Sequence, residues 1–593
     1  MRFIRLALVA VLLVLVVRLV DIQVVRSSHY RAMANMELTV PVKVPALRGG
    51  IFTRDGQVLA MSVPTDDVIA DDFLITHPLS EAQALSPLLG LPASQLATEL
   101  QQRSGYVKLA TQVAVATARR IAARAFPGIT ILGDSRRVVP NGSLAAPVLG
   151  AVNGSQQGAS GLEYQFNTLL AGRSGSETLF ESPGGVVLPQ SPATGSSVVT
   201  GTGLELTLDN SLQYETEEAL AAQIASSGAL SGTAVVMDVR TGDILSMANL
   251  VSNHQGSASA GNSGDAAAAS SGPTVIGPQG PVSEAPGNLA VTKLFEPGSV
   301  FKLVTFSAAL QDGLINPQST FSVPDHITLD GSVFHDAETH PTEQLTATQI
   351  LAQSSNIGTS EIALGLGEQR LLAQVNNLGF GRTTGLHFPG ESGGILAGAA
   401  QWAPTDLVSL PIGQVDAVNA QQVLDAFNAV ANKGVLVQPR LVRGTVEPDG
   451  TVQAAAPSSR RRVMSAATAT SLADMFEQVV VQGTGTAAAV PGYSVAGKTG
   501  TAQIPTPGHD SYIPGAFMAT FVGFAPADHP ILSAIVVLER PRTVYGGTAA
   551  APVFSQIMSY ALHRYDIPTT PGAPAAGQAG KPPSAASQRQ DIT

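Results

Sequence analysis

Two pairs of apolar runs, far apart in the chain, constrain its fold more than any other feature. Thr233–Asp238 and Asp243–Met247 read as strands joined by a turn at Arg240-Thr241-Gly242. Phe517–Phe524 and Ile531–Glu539 repeat the arrangement around Asp528-His529-Pro530. Helical spacing fills the interval between them. Strands at both ends and helices in the middle imply an α/β (α+β) domain in which one antiparallel sheet packs against helices. Leu204–Leu208, which alternates like a strand, and the helical Gln213–Ser226 mark its start, so the domain is expected over 201–567. From His29 to Thr200 short strand-like runs (Gln57–Ala60, Val68–Ala70) mix with helical stretches such as Val113–Ala125, and no chemical cluster stands out.

Leu6–Val17 is an unbroken apolar run between Arg5 and Arg18. With its shoulders it reaches about 20 residues if both arginines snorkel to the interfaces, which is enough for one span. No small-x-small cleavage site follows, so an uncleaved anchor over 4–25 is expected, with 1–3 as a short cytoplasmic end and the rest outside. Ser252–Gly287 is rich in Ser, Ala, Gly, Asn and Pro and is read as a flexible insertion. Residues 568–593 are read as a disordered tail.

The net charge of −11 argues against a nucleic-acid partner, which needs a basic face. Having no cysteine removes disulfides, thiolate metal sites and cysteine nucleophiles, so covalent chemistry falls to Ser, Thr or Lys.

Three elements carry candidate chemistry. In Glu296-Pro-Gly-Ser299-Val-Phe-Lys302, a Pro-Gly break precedes a helix apolar on nearly every face, and Ser299 and Lys302 fall within one turn. Serine is a weak nucleophile, and a desolvated lysine of lowered pKa can take its proton. Each residue also has a plain reading, as helix cap and snorkelling cation. Ser354-Ser355-Asn356 can cap a helix, or relay a proton to a leaving amine and hold a substrate carbonyl. Lys498-Thr499-Gly500-Thr501 can form a strand bearing a cation and hydroxyls for a substrate carboxylate, with glycine allowing close backbone approach.

Gly492–Thr499 also fits the phosphate-loop pattern. Pro505 and Pro507 leave no room for the helix such a loop must open, so the nucleotide reading is rejected. His335, Asp336 and His340 could imitate a metal cluster but read as solvated loop residues; no metal and no cofactor are assigned.

Taken together, Ser299-x-x-Lys302, Ser354-x-Asn356 and Lys498-Thr-Gly500 resemble the penicilloyl serine transferases. The wider chain resembles class B penicillin-binding proteins through Arg48-Gly-Gly-Ile51, Arg54-Asp-Gly56, Gly161-Leu-Glu163, Tyr545-Gly-Gly547 and Ala551-Pro-Val-Phe554. The resemblance implies a non-catalytic pedestal or dimerisation domain over 26–200 and a monofunctional D,D-transpeptidase that cross-links peptidoglycan stem peptides. It implies Ser299 as nucleophile, Lys302 as proton acceptor, Ser354 as proton relay, Asn356 as peptide holder, and Lys498, Thr499, Gly500 and Thr501 around the substrate carboxylate. D-Ala-D-Ala donors, β-lactam inhibitors, a membrane glycosyltransferase and other wall-synthesis or division proteins are the implied partners, at the outer face of the bacterial cytoplasmic membrane. A septal role is preferred over cell-shape elongation. Related alternatives are a D,D-carboxypeptidase, a β-lactamase, and a non-catalytic β-lactam sensor or divisome scaffold. Two departures stand out: the family's Gly-Gln-Gly is Gly413-Gln-Val415, and the 252–287 insertion lies close before Ser299.

Overall fold

The computed structural model describes residues 2–30, 33, 39–180, 194–253, 275–276, 281–396, 402–403, 405–509 and 511–572. Arg2–Val20 is a helix extended by a π-helical turn, Asp21–Val25, and no residue of either is buried. These 24 residues are long and apolar enough to cross a membrane. A rise of about 1.5 Å per residue carries such a stretch past a hydrocarbon core of about 30 Å.

The chain divides into two compact units. The first comprises Met1–Gly49, Met61–Val138 and Thr168–Thr202. Its central strand belongs to Val58–Ala70, a single strand where the sequence suggested two short ones. Residues 61–70 pair antiparallel with Ile129–Val138, while the stretch beyond Pro64 also pairs with Val107–Val113. The second ladder begins only at Asp66, which lies opposite Val113, the last residue of its partner strand. Val107–Val113 is a strand, and the helix expected over 113–125 runs Val115–Ala122. Val68, Leu85, Leu96, Leu109 and Ile121 form the core of this unit.

The second unit comprises Gly50–Ala60, Val139–Asn167 and Gly203–Thr593. Among the described residues its main sheet has seven strands, all antiparallel. Their order is Val275–Ile276, Pro281–Glu284, Ile244–Ser252, Ser231–Asp238, Leu532–Glu539, Tyr512–Ala525 and Ala496–Pro505. Both expected hairpins form, and the first strand of one pairs with the last strand of the other: Ala234 lies opposite Val536. Burial on both faces explains why Ala234–Met237 is apolar without alternation. Helices Asn210–Ser227 and Ala551–Arg564 cover one face, where Phe521 and Phe554 meet at 4.7 Å between centroids. On the other face, the Ser533 hydroxyl donates to Asn428 Oδ1 of the helix Ala420–Ala431 at 2.8 Å.

The segment read as flexible from 252 to 287 is not uniform. Residues 254–274 and 277–280 lie outside the described residues, but Pro281–Glu284 is a sheet strand with Leu250 opposite Glu284 and Val282 in the core. Hydrogen bonding to the existing edge rewards a strand that composition alone hid. Likewise the start of the expected tail is tied down: Thr570 donates its N–H to the Gly492 carbonyl at 2.9 Å. Residues 573–593 lie outside the described residues.

Candidate active site

Gly298 takes φ +58, a turn conformation open to glycine, and releases the chain into a short 3-10 turn, Gly298–Phe301. The α-helix Lys302–Gln311 follows, so the predicted helix exists but its first turn is tighter than α. The Lys302 N–H donates back to the Ser299 carbonyl, which places both side chains on that turn. Ser299 is half-buried, while Val300, Phe301 and Lys302 are buried.

Lys302 is fully buried, and its Nζ is held by neutral acceptors. It donates to the Ser354 carbonyl, to Ser354 Oγ at 3.3 Å and to Asn356 Oδ1 at 2.9 Å. Burial pushes its ammonium down to about 7, against a smaller opposing pull from the Asp336 charge. The Asn356 amide is oriented from behind, since its Nδ2 donates to the His335 carbonyl at 3.2 Å and leaves Oδ1 toward Lys302.

The Ser354-Ser355-Asn356 junction divides its labour. Ser354 ends the helix Ala347–Gln353 in the left-handed region at φ +64, which aims its carbonyl and hydroxyl at Lys302. Ser355 is the cap of the next helix, accepting from the Gly358 N–H at 3.0 Å. The plain reading of this element as a cap therefore holds for Ser355, and the two outer residues face the lysine.

Sequence reasoning missed Asp336. This buried carboxylate accepts the Ser355 hydroxyl at 2.8 Å, the Ile357 N–H at 3.0 Å, the Asn356 N–H, and a bond from His340 at 3.1 Å. It sits where the N-terminal dipole of the Asn356–Leu366 helix favours an anion. The sequence reading took Asp336, with His335 and His340, for a solvated loop residue, and the burial of Asp336 corrects that.

Lys498 and Thr499 are buried within the strand Ala496–Pro505, with Thr501 half-buried two residues on. A strand at this position removes the phosphate-loop reading, which needs a helix to open there. Lys498 Nζ reaches Thr499 Oγ1 at 3.3 Å, and Thr499 Oγ1 meets Thr484 Oγ1 at 2.7 Å. Burial, then the charge of Lys302, holds the Lys498 ammonium well below its usual range. Thr501 Oγ1 accepts the Gly546 N–H at 3.1 Å.

Glycines let the pieces approach. A Cβ on Gly500 would stand 3.1 Å from the Pro297 carbonyl, and one on Gly298 3.1 Å from that of Thr501. A Cβ on Gly546 would fall 2.4 Å from the Gly500 carbonyl, which explains the Tyr545-Gly-Gly547 motif. The structure thus brings the Ser299 turn against the Lys498–Thr501 strand, and Ser354 and Asn356 onto Lys302. This arrangement can activate a hydroxyl with a partly neutral amine and receive an anionic group beside a second amine.

Comparison with known proteins finds two matching domain families. The penicillin binding protein transpeptidase domain matches residues 232–559, and the penicillin-binding protein dimerisation domain matches 43–206. The chain is 33% identical over 605 residues to penicillin-binding protein PbpB of Mycolicibacterium smegmatis, covering 96% of this chain and 90% of that protein. It is 29% identical to peptidoglycan D,D-transpeptidase FtsI of Escherichia coli, covering 88% and 85%. Penicillin binding protein 3 of Mycobacterium tuberculosis, solved with aztreonam, superposes with TM-score 0.67 at 30% identity, covering 90% of this chain and 99% of that one.

Proposed function

This chain belongs to the class B penicillin-binding proteins, and we propose that it works as a peptidoglycan D,D-transpeptidase whose nucleophile is Ser299. The observation that carries the assignment is Lys302, buried in the turn after Ser299 with neutral partners only and a proton affinity brought down to about 7.

Ser299 Oγ attacks the carbonyl of the penultimate D-alanine as Lys302 Nζ takes the hydroxyl proton. The backbone N–H groups of Ser299 and Thr501 receive the oxyanion. The peptide C–N bond breaks, the proton passes by Ser354 to the departing D-alanine amine, and an ester on Ser299 remains. An acceptor amine then attacks the ester, forms the cross-link and returns the proton to Ser299. Asn356 holds the donor peptide, and Lys498, Thr499, Gly500 and Thr501 take its terminal carboxylate. An arriving carboxylate offsets the desolvation that depresses Lys498, so binding favours a charged Lys498 beside a neutral Lys302.

Residues 26–200 serve as the non-catalytic pedestal and 201–567 as the transpeptidase domain. The apolar helix over 4–25 anchors the chain in the bacterial cytoplasmic membrane with the catalytic domain outside. Septal wall is the product, with a membrane glycosyltransferase and division proteins as partners, and β-lactams are inhibitors that mimic the donor.

The test is turnover by the detergent-solubilised full chain on two stem peptides, one ending in D-Ala-D-Ala. Cross-linked dimer with equimolar D-alanine supports the reading. Shortened monomer alone would make the enzyme a carboxypeptidase, and one stoichiometric acylation without turnover would make it a sensor.

A further inference from the structure

The four residues before Ser299 are stitched to a distant loop. The Phe295 N–H donates to the Val418 carbonyl at 2.9 Å, and the Gly298 N–H to the Gly413 carbonyl at 3.0 Å. Gly413 lies so close to the turn that a Cβ there would stand 2.1 Å from the Gly298 carbonyl oxygen. Between these two backbone bonds the loop carries Val415 at φ +69, a conformation that a β-branched residue disfavours. Such an outlier persists only where its surroundings hold it.

Glu296 supplies the hold. Its Oε1 accepts the Val415 N–H at 3.3 Å, and both its oxygens meet the Tyr512 hydroxyl, at 3.4 and 3.1 Å. Tyr512 opens the strand that pairs with the Lys498 strand, and it lies opposite Pro505. One carboxyl therefore ties together the nucleophile turn, the 413–415 loop and the outer end of the two strands that flank the carboxylate side of the site. Neither Val415 nor Tyr512 is buried, so this tie lies at the rim, apart from the Lys302 cluster.

We propose that Glu296 is a positioning residue for acyl transfer, fixing the Ser299 turn between the Val415 loop and the Tyr512 strand through hydrogen bonds that need an acceptor oxygen and a second polar atom on one planar group rather than its charge. The bonds act on where Ser299 Oγ points relative to a bound carbonyl. Their loss lowers the rate of ester formation and leaves capture of the ligand nearly intact, because a nucleophile a fraction of an ångström out of line costs rate more than affinity.

The inference rests on Ser299 as nucleophile, and Ser299→Ala tests that separately by abolishing acylation altogether. Stopped-flow labelling of the full chain with a fluorescent penicillin, over a range of concentrations, separates the binding constant from the acylation rate. Glu296→Ala is expected to lower the acylation rate at least tenfold with binding changed less than threefold. Glu296→Gln, which keeps an acceptor for Val415, should stay within threefold of the parent. Tyr512→Phe, a milder change that covers the case of a misfolded alanine variant, should lower the rate about threefold. Normal acylation by folded Glu296→Ala or by Tyr512→Phe would overturn the proposal. So would a loss confined to binding, or a glutamine variant as slow as the alanine one.

Discussion

Lys302 and Lys498 are both sealed from solvent, and the charge of one depresses the proton affinity of the other. Two buried ammonium groups under mutual repulsion do not hold two protons comfortably near neutral pH. The free site is thereby set to keep at least one of the two amines neutral near pH 7.

Acylation should accordingly follow the deprotonation of Lys302. Its pKa lies below the ordinary lysine value, so the neutral, proton-accepting form grows as pH rises through about 7. Penicillin labelling rates measured from pH 5 to 9 should climb across that window and then level. A flat profile would remove Lys302 from the role. Lys302→Ala should slow labelling by about a hundredfold or more, the usual contribution of a general base.

Mass spectrometry after penicillin treatment should find a single adduct, on the peptide containing Ser299. A folded Ser299→Ala protein that still labels at the parent rate would refute the assignment. The adduct should persist, since a transpeptidase shields its ester from water; rapid multiple turnover of penicillin would point to a β-lactamase instead.

A second buried pair predicts a stability effect away from the site. Glu217 on the helix Asn210–Ser227 accepts the Ala145 N–H at 2.9 Å and the Gln213 amide at 2.7 Å. Both oxygens of the Glu284 carboxyl are sealed from solvent, and this carboxyl lies against Glu217. Burial raises both above the usual carboxylate range, Glu217 to about 7, and the neighbouring Glu217 charge pushes Glu284 further. Their folded pKa values exceed the unfolded ones, so the folded state binds more protons and stability declines as pH rises from about 4.5 upward. Thermal melts should show a falling Tm between pH 5 and 9, and Glu284→Gln should flatten that slope and raise Tm at pH 8. An unchanged slope would mean the two carboxyls are not confronted in solution.

The insertion divides into a dispensable and a structural part. Replacing residues 254–274 with a short Gly-Ser linker should leave Tm within a few degrees, because the strands Val275–Ile276 and Pro281–Glu284 and the bond from Ser283 Oγ to Asn253 Oδ1 at 2.6 Å remain. Removing 252–287 entirely should lower Tm by several degrees more. Burying a valine such as Val282 contributes about 1.5 kcal/mol or more, and the edge pairing is lost with it. Equal melts for the two deletions would count against this division.

The sheet and the three motifs were legible because their signals are local. Strands buried on both faces write themselves as apolar runs, and Ser299 and Lys302 share one turn. What was hidden depends on partners far along the chain. Asp336 reads as a loop aspartate until the fold sets it at the N-terminus of the Asn356 helix. The carboxyls of Glu217 and Glu284 have no reason to be buried until the sheet edge and its covering helix meet. Pro281–Glu284 is too short and too ordinary to announce a strand, and its ladder with Leu250–Ser252 supplies what the residues do not.

The glycines under the site set limits on how this enzyme can evolve. At Gly298, Gly413, Gly500 and Gly546 an added methyl group would stand between 2.1 and 3.1 Å from a neighbouring backbone atom, and backbone cannot be trimmed by substitution. Side-chain change is therefore closed at these four glycines. It remains open at positions such as Val415, whose side chain is exposed and whose tie to Glu296 runs through its backbone N–H.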